Sequence, residues 1–101
     1  MKINHINKAT DNEQEILNIL SEECAEVIQA ISKILRFGWG SCHPDTPEIT
    51  NRIHLTEELG DLYCMMNLLS QKRSVVHGEI INYSMAKLEK LKKYSNIDIN
   101  S

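Results

Sequence analysis

Acidic side chains are concentrated at two places in the sequence, and their types and spacing suit the binding of a hard cation. The first group is Glu22-Glu23-x-x-Glu26, and the second is Glu58-x-x-Asp61. At about 100° per residue on a helix, the first three acids form one cluster that borders the apolar stripe. Carboxylates gathered in this way repel one another, and a divalent cation relieves that repulsion. Oxygen ligands without histidine or cysteine favour Mg²⁺, with Mn²⁺ as a possible substitute.

The second acidic pair shares its helical face with apolar residues. Glu58 and Asp61 fall in the sector that holds the leucines and methionines between positions 55 and 69, and no Lys or Arg stands three or four residues from either acid. A carboxylate on a buried face is costly unless an opposite charge satisfies it. Ordinary surface charges in salt bridges are the alternative, and they do not explain two acids on an apolar face. A di-iron site would need Glu-x-x-His, which the sequence lacks.

A long first helix is predicted to carry the first acidic group. Thr10-x-x-Glu13 has the form of a capping box. The stretch from there to Phe37 contains no Pro or Gly. Apolar residues recur at helical spacing over that stretch. The tripeptide Gly38-Trp39-Gly40 is expected to end the helix.

Two further helices are predicted after a loop. The second is expected to begin with Thr46 as N-cap and Pro47 in the first helical position, and to end near Gln71. The third follows a short polar junction, is interrupted or delayed at Gly78, and ends near Tyr94. No stretch alternates with a period of two over the length of a strand, so the fold is expected to be all-α.

Composition limits the class of protein. The chain has 101 residues, 42% of them hydrophobic, with a net charge of −3. We expect a single domain over 1–101, with a loose arm over 1–10 and a polar tail over 95–101. The apolar runs are too short for a membrane span, and the N-terminal residues lack the apolar stretch of a signal peptide.

The cysteines and the net charge bear on location and partners. The three cysteines have no C-x-x-C spacing, which favours reduced thiols in the cytoplasm. An acidic chain is not expected to bind nucleic acid stably. Because three helices of unequal length bury little by themselves, we expect a second copy to complete the bundle as a homodimer or homotetramer.

Two segments of the sequence resemble a known superfamily. They are LSEECAEVIQAISKILRFG (Leu20–Gly38) and LTEELGDLYCMMNLL (Leu55–Leu69), and their pairing is similar to the MazG-like all-α nucleoside triphosphate pyrophosphohydrolases. The resemblance implies a helical hairpin plus a third helix, completing a four-helix bundle by homo-oligomerisation. It also implies Mg²⁺-dependent cleavage of (deoxy)nucleoside triphosphates between the α- and β-phosphates, giving the monophosphate and pyrophosphate, for nucleotide-pool control or housecleaning.

The resemblance also assigns roles to individual residues. Metal ligands are expected at Glu23, Glu26, Glu58 and Asp61. Glu22 would bind a further ion or act as base on the attacking water, so Glu22 and Glu23 are the predicted catalytic residues. The third helix of the family tends to bring basic residues to the phosphates, and the candidates here are Lys87, Lys90 and Lys93.

Other side chains are candidates for contact with the nucleotide. Lys33 lies in line with Glu22 and Glu26, about 10 Å beyond Glu26, within reach of a β- or γ-phosphate, although a solvated lysine explains it equally well. Trp39 and Tyr94 could each stack on a base, or Trp39 could close the end of the bundle. His54 is expected to be a surface or hydrogen-bonded histidine.

Three alternatives to a general triphosphate hydrolase are open at this point. Phosphoribosyl-ATP pyrophosphohydrolases share the superfamily's bundle, and a hydrolase of dUTPase type is another relative. The alternative from a different class is a non-catalytic helical oligomer that binds a nucleotide or a protein. Substrate profiling separates the first two, and substitution of the acids separates the third.

Overall fold

The computed structural model describes residues 8–100, which fold into three α-helices. They are α1 (Asp11–Phe37), α2 (Asn51–Gln71) and α3 (His77–Tyr94). Within the described range there is no strand, and Cys42 pairs with Thr50 in one isolated antiparallel bridge. The all-α prediction is therefore confirmed. Most of the predicted N-terminal arm, residues 1–7, lies outside the described part of the chain.

The predicted limits of α1 are confirmed. Thr10 Oγ1 accepts a hydrogen bond from the Glu13 N–H at 3.1 Å, and Glu13 Oε1 accepts one from the Thr10 N–H at 2.9 Å. This capping box satisfies two backbone groups at the start of the helix. At the other end, Gly38 has φ +91°, where a side chain would be strained, and its N–H donates to Ile34 at 2.8 Å.

The start of α2 differs from the prediction. Thr46 and Pro47 lie in a turn closed by the Ile49 N–H on the Thr46 carbonyl at 3.0 Å, and the helix begins only at Asn51. The N-cap is Thr50, whose Oγ1 accepts from the Ile53 N–H at 3.2 Å. The first N–H groups of a helix need partners outside it, and here they find carbonyls of the chain leaving α1. That pairing decides where the helix starts.

Helices α1 and α2 form an antiparallel hairpin whose contact stripes follow steps of three and four residues. The stripe on α1 consists of Ile16, Leu20, Glu23, Val27, Ala30 and Ile34, and that on α2 of Asn51, Leu55, Glu58, Leu62, Met65 and Leu69. Ile16, Met65 and Leu69 form the buried core at one end. Such spacing keeps one face of each helix against its partner. Glu23 and Glu58 interrupt the two stripes near their middles.

Helix α3 stands apart from the hairpin. It has no buried residue, and of the three helix pairs only α1 and α2 pack extensively. Large apolar side chains on α3 are exposed, namely Ile81, Tyr83, Met85 and Leu88. The expectation that three helices bury little in one copy is confirmed, because the buried residues in the described range are Ile16, Ala30, Asn51, Met65 and Leu69. None of the helices over residues 8–100 is both long and apolar enough to cross a membrane.

Candidate metal centre

Three carboxylates from the two helices of the hairpin converge on one point. One oxygen each from Glu23, Glu26 and Glu58 lies within 4.8 Å of the others. Glu23 and Glu26 are on neighbouring turns of α1, and Glu58 faces them from α2. The heptad-like packing of the hairpin therefore brings together acids that are far apart in the sequence.

Two oxygens of this acidic cluster are buried without a hydrogen-bond partner. They are Glu23 Oε2 and Glu58 Oε2, for which the described residues supply no donor. A buried carboxylate oxygen without a partner is unfavourable. Glu26 is exposed and opens the cluster to solvent. An all-oxygen site of three negative side chains with one open side fits a hard divalent cation that keeps part of its water shell.

The carboxyl groups of Glu23 and Glu58 hold protons more tightly than usual. A hydrogen bond with Glu26 raises the pKa of Glu58 to about 7, assisted by burial and by the charges of Glu26, Asp61 and Glu23. Burial raises the pKa of Glu23, with further contributions from Glu26, Asp61 and Glu22. A shared proton and a divalent cation relieve the same repulsion, so the two are expected to compete for this place.

A histidine lies beside the acidic cluster. His54 Nε2 is 3.3 Å from Glu58 Oε1, one helical turn away on α2. Protonation of the imidazole would make this contact an ion pair. From the sequence, His54 was expected to be a surface or hydrogen-bonded histidine, and its contact with Glu58 was not predicted. The signal that could have predicted this contact is the i, i+4 spacing of His54 from Glu58.

Asp61 and Glu22 lie at the margin of the cluster. Asp61 is exposed, so the prediction that it lies on the buried face of α2 is wrong for this hairpin. It is about 60° from Glu58 around the helix, beyond the strip that α1 covers. Its charge still acts on the cluster, because it contributes to the raised pKa of both Glu23 and Glu58. Glu22 is also exposed and acts on Glu23 in the same way.

A cleft of about 600 Å³ adjoins the acidic cluster. It lies between the end of α1, the following loop and the start of α2, and its lining includes Lys33, Phe37, His43, Asn51, His54 and Glu57. His54 also lies beside Glu58, so this one residue connects the cleft with the cluster. Lys33 is therefore a residue of the cleft, whereas the acids of the cluster are not among the described residues that line it. The role of Lys33 remains a prediction.

The other predicted substrate contacts lie elsewhere. Trp39 is not among the described residues that line the cleft, and the Arg52 guanidinium covers one face of its ring at 4.9 Å. Lys87, Lys90 and Tyr94 belong to α3, which has no extensive contact with the hairpin, and they are not among the described residues of the cluster or of the cleft lining. The Lys93 ammonium lies 5.4 Å from the centre of the Tyr94 ring.

Comparison with known families agrees with this geometry. A family model described as the MazG nucleotide pyrophosphohydrolase domain matches residues 11–95, which include all three helices and every acid of the cluster. Searches of curated proteins and of solved structures found no match. Since the family model spans most of the chain, the protein belongs to the family of MazG nucleotide pyrophosphohydrolase domains.

Proposed function

We propose that this protein is a Mg²⁺-dependent hydrolase that cleaves standard or modified (deoxy)nucleoside triphosphates between the α- and β-phosphates. The products would be the monophosphate and pyrophosphate, and the role would be nucleotide-pool control or housecleaning. The observation that carries the proposal is the convergence of three carboxylates in a MazG domain, two of them with buried oxygens that lack partners among residues 8–100.

In this reaction, different residues would bind the ion, activate the water and contact the phosphates. Glu23, Glu26 and Glu58 would hold the ion, and Asp61 would complete the set from the exposed margin of the cluster. Glu22 would orient the attacking water and accept its proton. Mg²⁺ (or Mn²⁺) held by these residues would supply neutralisation of phosphate charge and a more acidic water. Lys33, which lines the nearby cleft, would contact a phosphate there.

A second copy of the chain would complete the site. Helix α3 leaves its apolar residues exposed, and its Lys87, Lys90 and Tyr94 are not among the described residues of the acidic cluster or of the cleft lining. In a homodimer or homotetramer, α3 of one copy would cover the hairpin of another and bring these residues to the phosphates. The four-helix bundle of the family would form in the same step.

Substitution of single acids tests the proposal. Glu23→Gln and Asp61→Asn should each lower the rate of pyrophosphate release by more than about a hundredfold, because a ligand or its charge is lost where transition-state charge is balanced. Circular dichroism and thermal melting should show that both variants remain folded. Glu15→Gln removes an exposed acid of α1 outside the cluster and should leave the rate unchanged.

Two results would contradict the proposed site or the proposed reaction. Activity that survives in either Glu23→Gln or Asp61→Asn would mean that the metal ligands are assigned wrongly. A folded, Mg²⁺-binding protein that releases no pyrophosphate from any nucleotide would favour a non-catalytic binding role.

A further inference from the structure

Asn51 is a buried polar residue at the end of an apolar stripe. Its relative exposure is 8%, and it is the one polar residue counted as buried within residues 8–100. The side-chain Nδ2 donates to the Gly38 carbonyl at 2.9 Å and, over a longer distance of 3.4 Å, to the Lys33 carbonyl. Its backbone N–H donates to Ser41 at 2.8 Å. One residue of α2 therefore binds three points at and beyond the end of α1.

These hydrogen bonds fix the part of α1 from which Lys33 extends. Lys33 lines the cleft that includes His54, and so does Asn51 itself. The next residue adds to the connection, because the Arg52 N–H donates to the Trp39 carbonyl at 3.0 Å. The last turn of α1 and the first turn of α2 are thus held at a set distance on the side where a ligand would enter.

An apolar side chain would fill the same position in the stripe, but it would not set the register. Polar residues at such positions are known to specify how two helices align, at some loss of stability. The amide has two N–H groups, and both are directed at backbone carbonyls of α1 and its cap. A shift of α1 along α2 would break these hydrogen bonds, whereas apolar side chains could form similar contacts in the shifted position.

We infer that Asn51 is a positioning residue for substrate phosphate. It holds the backbone of Lys33 so that the ammonium group faces the cleft, and it acts on the substrate only through Lys33. This inference rests on the proposed function, and it assigns a role to a residue that would contact neither the ion nor the phosphates.

A double-mutant cycle tests whether Asn51 acts through Lys33. Asn51→Ala and Lys33→Ala should each raise the KM for a nucleoside triphosphate by about tenfold, while kcat changes by less than about twofold. The double variant should be no worse than Lys33→Ala alone. Asn51→Leu fills the position but cannot donate, so it should behave like Asn51→Ala and provides a second variant if the first folds poorly.

Two controls separate positioning from a general loss of stability. The Mg²⁺ concentration for half-maximal activity should stay within about twofold of the wild-type value in the Asn51 variants, because the acidic cluster is not changed. Leu69→Ala creates a cavity in the core at the other end of the hairpin, so it should lower the melting temperature without raising KM. A KM that rises equally in Leu69→Ala would overturn the inference, as would additive effects of the Asn51 and Lys33 variants.

A binding measurement distinguishes this inference from the proposed function. Calorimetric titration of the four proteins of the cycle with inorganic triphosphate and Mg²⁺ should show the same non-additive loss of affinity. If the wild-type protein hydrolyses no nucleotide, the proposed function fails, and the titration still decides whether Asn51 and Lys33 are coupled. If the wild-type protein hydrolyses nucleotides and the two effects are additive, only the inference fails. A wild-type protein that neither hydrolyses nor binds would overturn both.

Discussion

At the scale of single residues, the acids of the cluster are held in positions that a carboxylate alone does not favour. Glu58 keeps only 12% of its side chain exposed, and one of its oxygens has no partner among residues 8–100. Its pKa is raised to about 7 by the hydrogen bond with Glu26, by burial and by neighbouring charges. The free energy of folding is therefore linked to pH through this group.

The metal-free protein should lose stability as the pH rises from about 4.5 to about 7. The folded state binds the Glu58 proton more tightly than the unfolded chain, whose glutamates titrate near 4.5. The bound Glu58 proton therefore adds to the free energy of unfolding. This contribution is complete at low pH and is lost as the pH approaches the folded-state pKa. Melting temperatures in EDTA across pH 5 to 8 measure this, and Glu58→Gln should flatten the profile. Equal slopes in the wild-type protein and the variant would contradict the assignment.

The sequence indicated most of the cluster but not its boundary. A helical wheel placed Glu58 on the apolar face correctly, because that residue lies near the middle of a broad apolar sector. The same wheel placed Asp61 there as well, and in the structure it is exposed. A wheel cannot tell which part of a broad apolar sector the partner helix covers. For the same reason it placed Glu23 at the border of a stripe to which it belongs.

At the scale of helices, the two acids that face each other divide the hairpin core. Ile16, Met65 and Leu69 pack at one end, and Ala30 and Asn51 are buried toward the other. Between them the stripes of α1 and α2 carry charge where an antiparallel pair would normally carry leucine or isoleucine. The two acids lower the free energy of unfolding of the metal-free protein, and a bound cation would raise it again.

Replacement of both central acids by leucine should stabilise the metal-free protein. Glu23→Leu with Glu58→Leu removes the repulsion and extends the apolar stripes. The midpoint of urea unfolding in EDTA should rise, and Mg²⁺ should no longer raise it further. Glu15→Leu, an exposed position on α1, serves as the control and should change the midpoint little. A double variant less stable than wild type would show that the acids are not under strain.

The start of α2 can be tested with a matched pair of threonine variants. Thr50→Ala removes the cap on the Ile53 N–H and should lower the free energy of unfolding by about 1 kcal/mol. Thr46→Ala, at the position that local sequence rules predict as the cap, should lower it by less than about half as much. Urea unfolding measures both. A larger effect at Thr46 would mean that the helix begins at Pro47 after all.

Local signals predicted the ends of the helices where local contacts decide them. The capping box at Thr10 and the glycine at 38 involve residues within one turn, and both predictions are confirmed. Thr46-Pro47 satisfies the same local rules, but the helix starts at Asn51. The deciding hydrogen bonds join Asn51 and Arg52 to carbonyls ten or more residues earlier in the chain. A rule that considers only neighbouring residues does not include them.

At the scale of the whole molecule, a single copy leaves much apolar surface uncovered. Helix α3 has no buried residue, and exposed apolar side chains also occur on the hairpin, including Ile28 at 66% and Leu35 at 81%. Large exposed apolar patches mark interaction surfaces. These exposed side chains support the proposal that a second chain completes a four-helix bundle.

Sedimentation analysis should find the wild-type protein as a dimer or tetramer. Ile81→Glu and Leu88→Glu each place a charge on the exposed apolar side of α3 and should shift the protein toward the monomer. Glu89→Gln, an exposed polar change next to Leu88, should leave the assembly intact. A monomeric wild-type protein at micromolar concentrations would contradict this expectation.

We propose that the acidic cluster, loaded with Mg²⁺, hydrolyses nucleoside triphosphates at the α–β bond. The most direct measurement is product analysis for a panel of ribo- and deoxyribonucleoside triphosphates, with Mg²⁺ and with EDTA. We predict equal amounts of nucleoside monophosphate and pyrophosphate with Mg²⁺, and no turnover with EDTA. Release of single phosphate ions, or turnover that persists in EDTA, would contradict the claim.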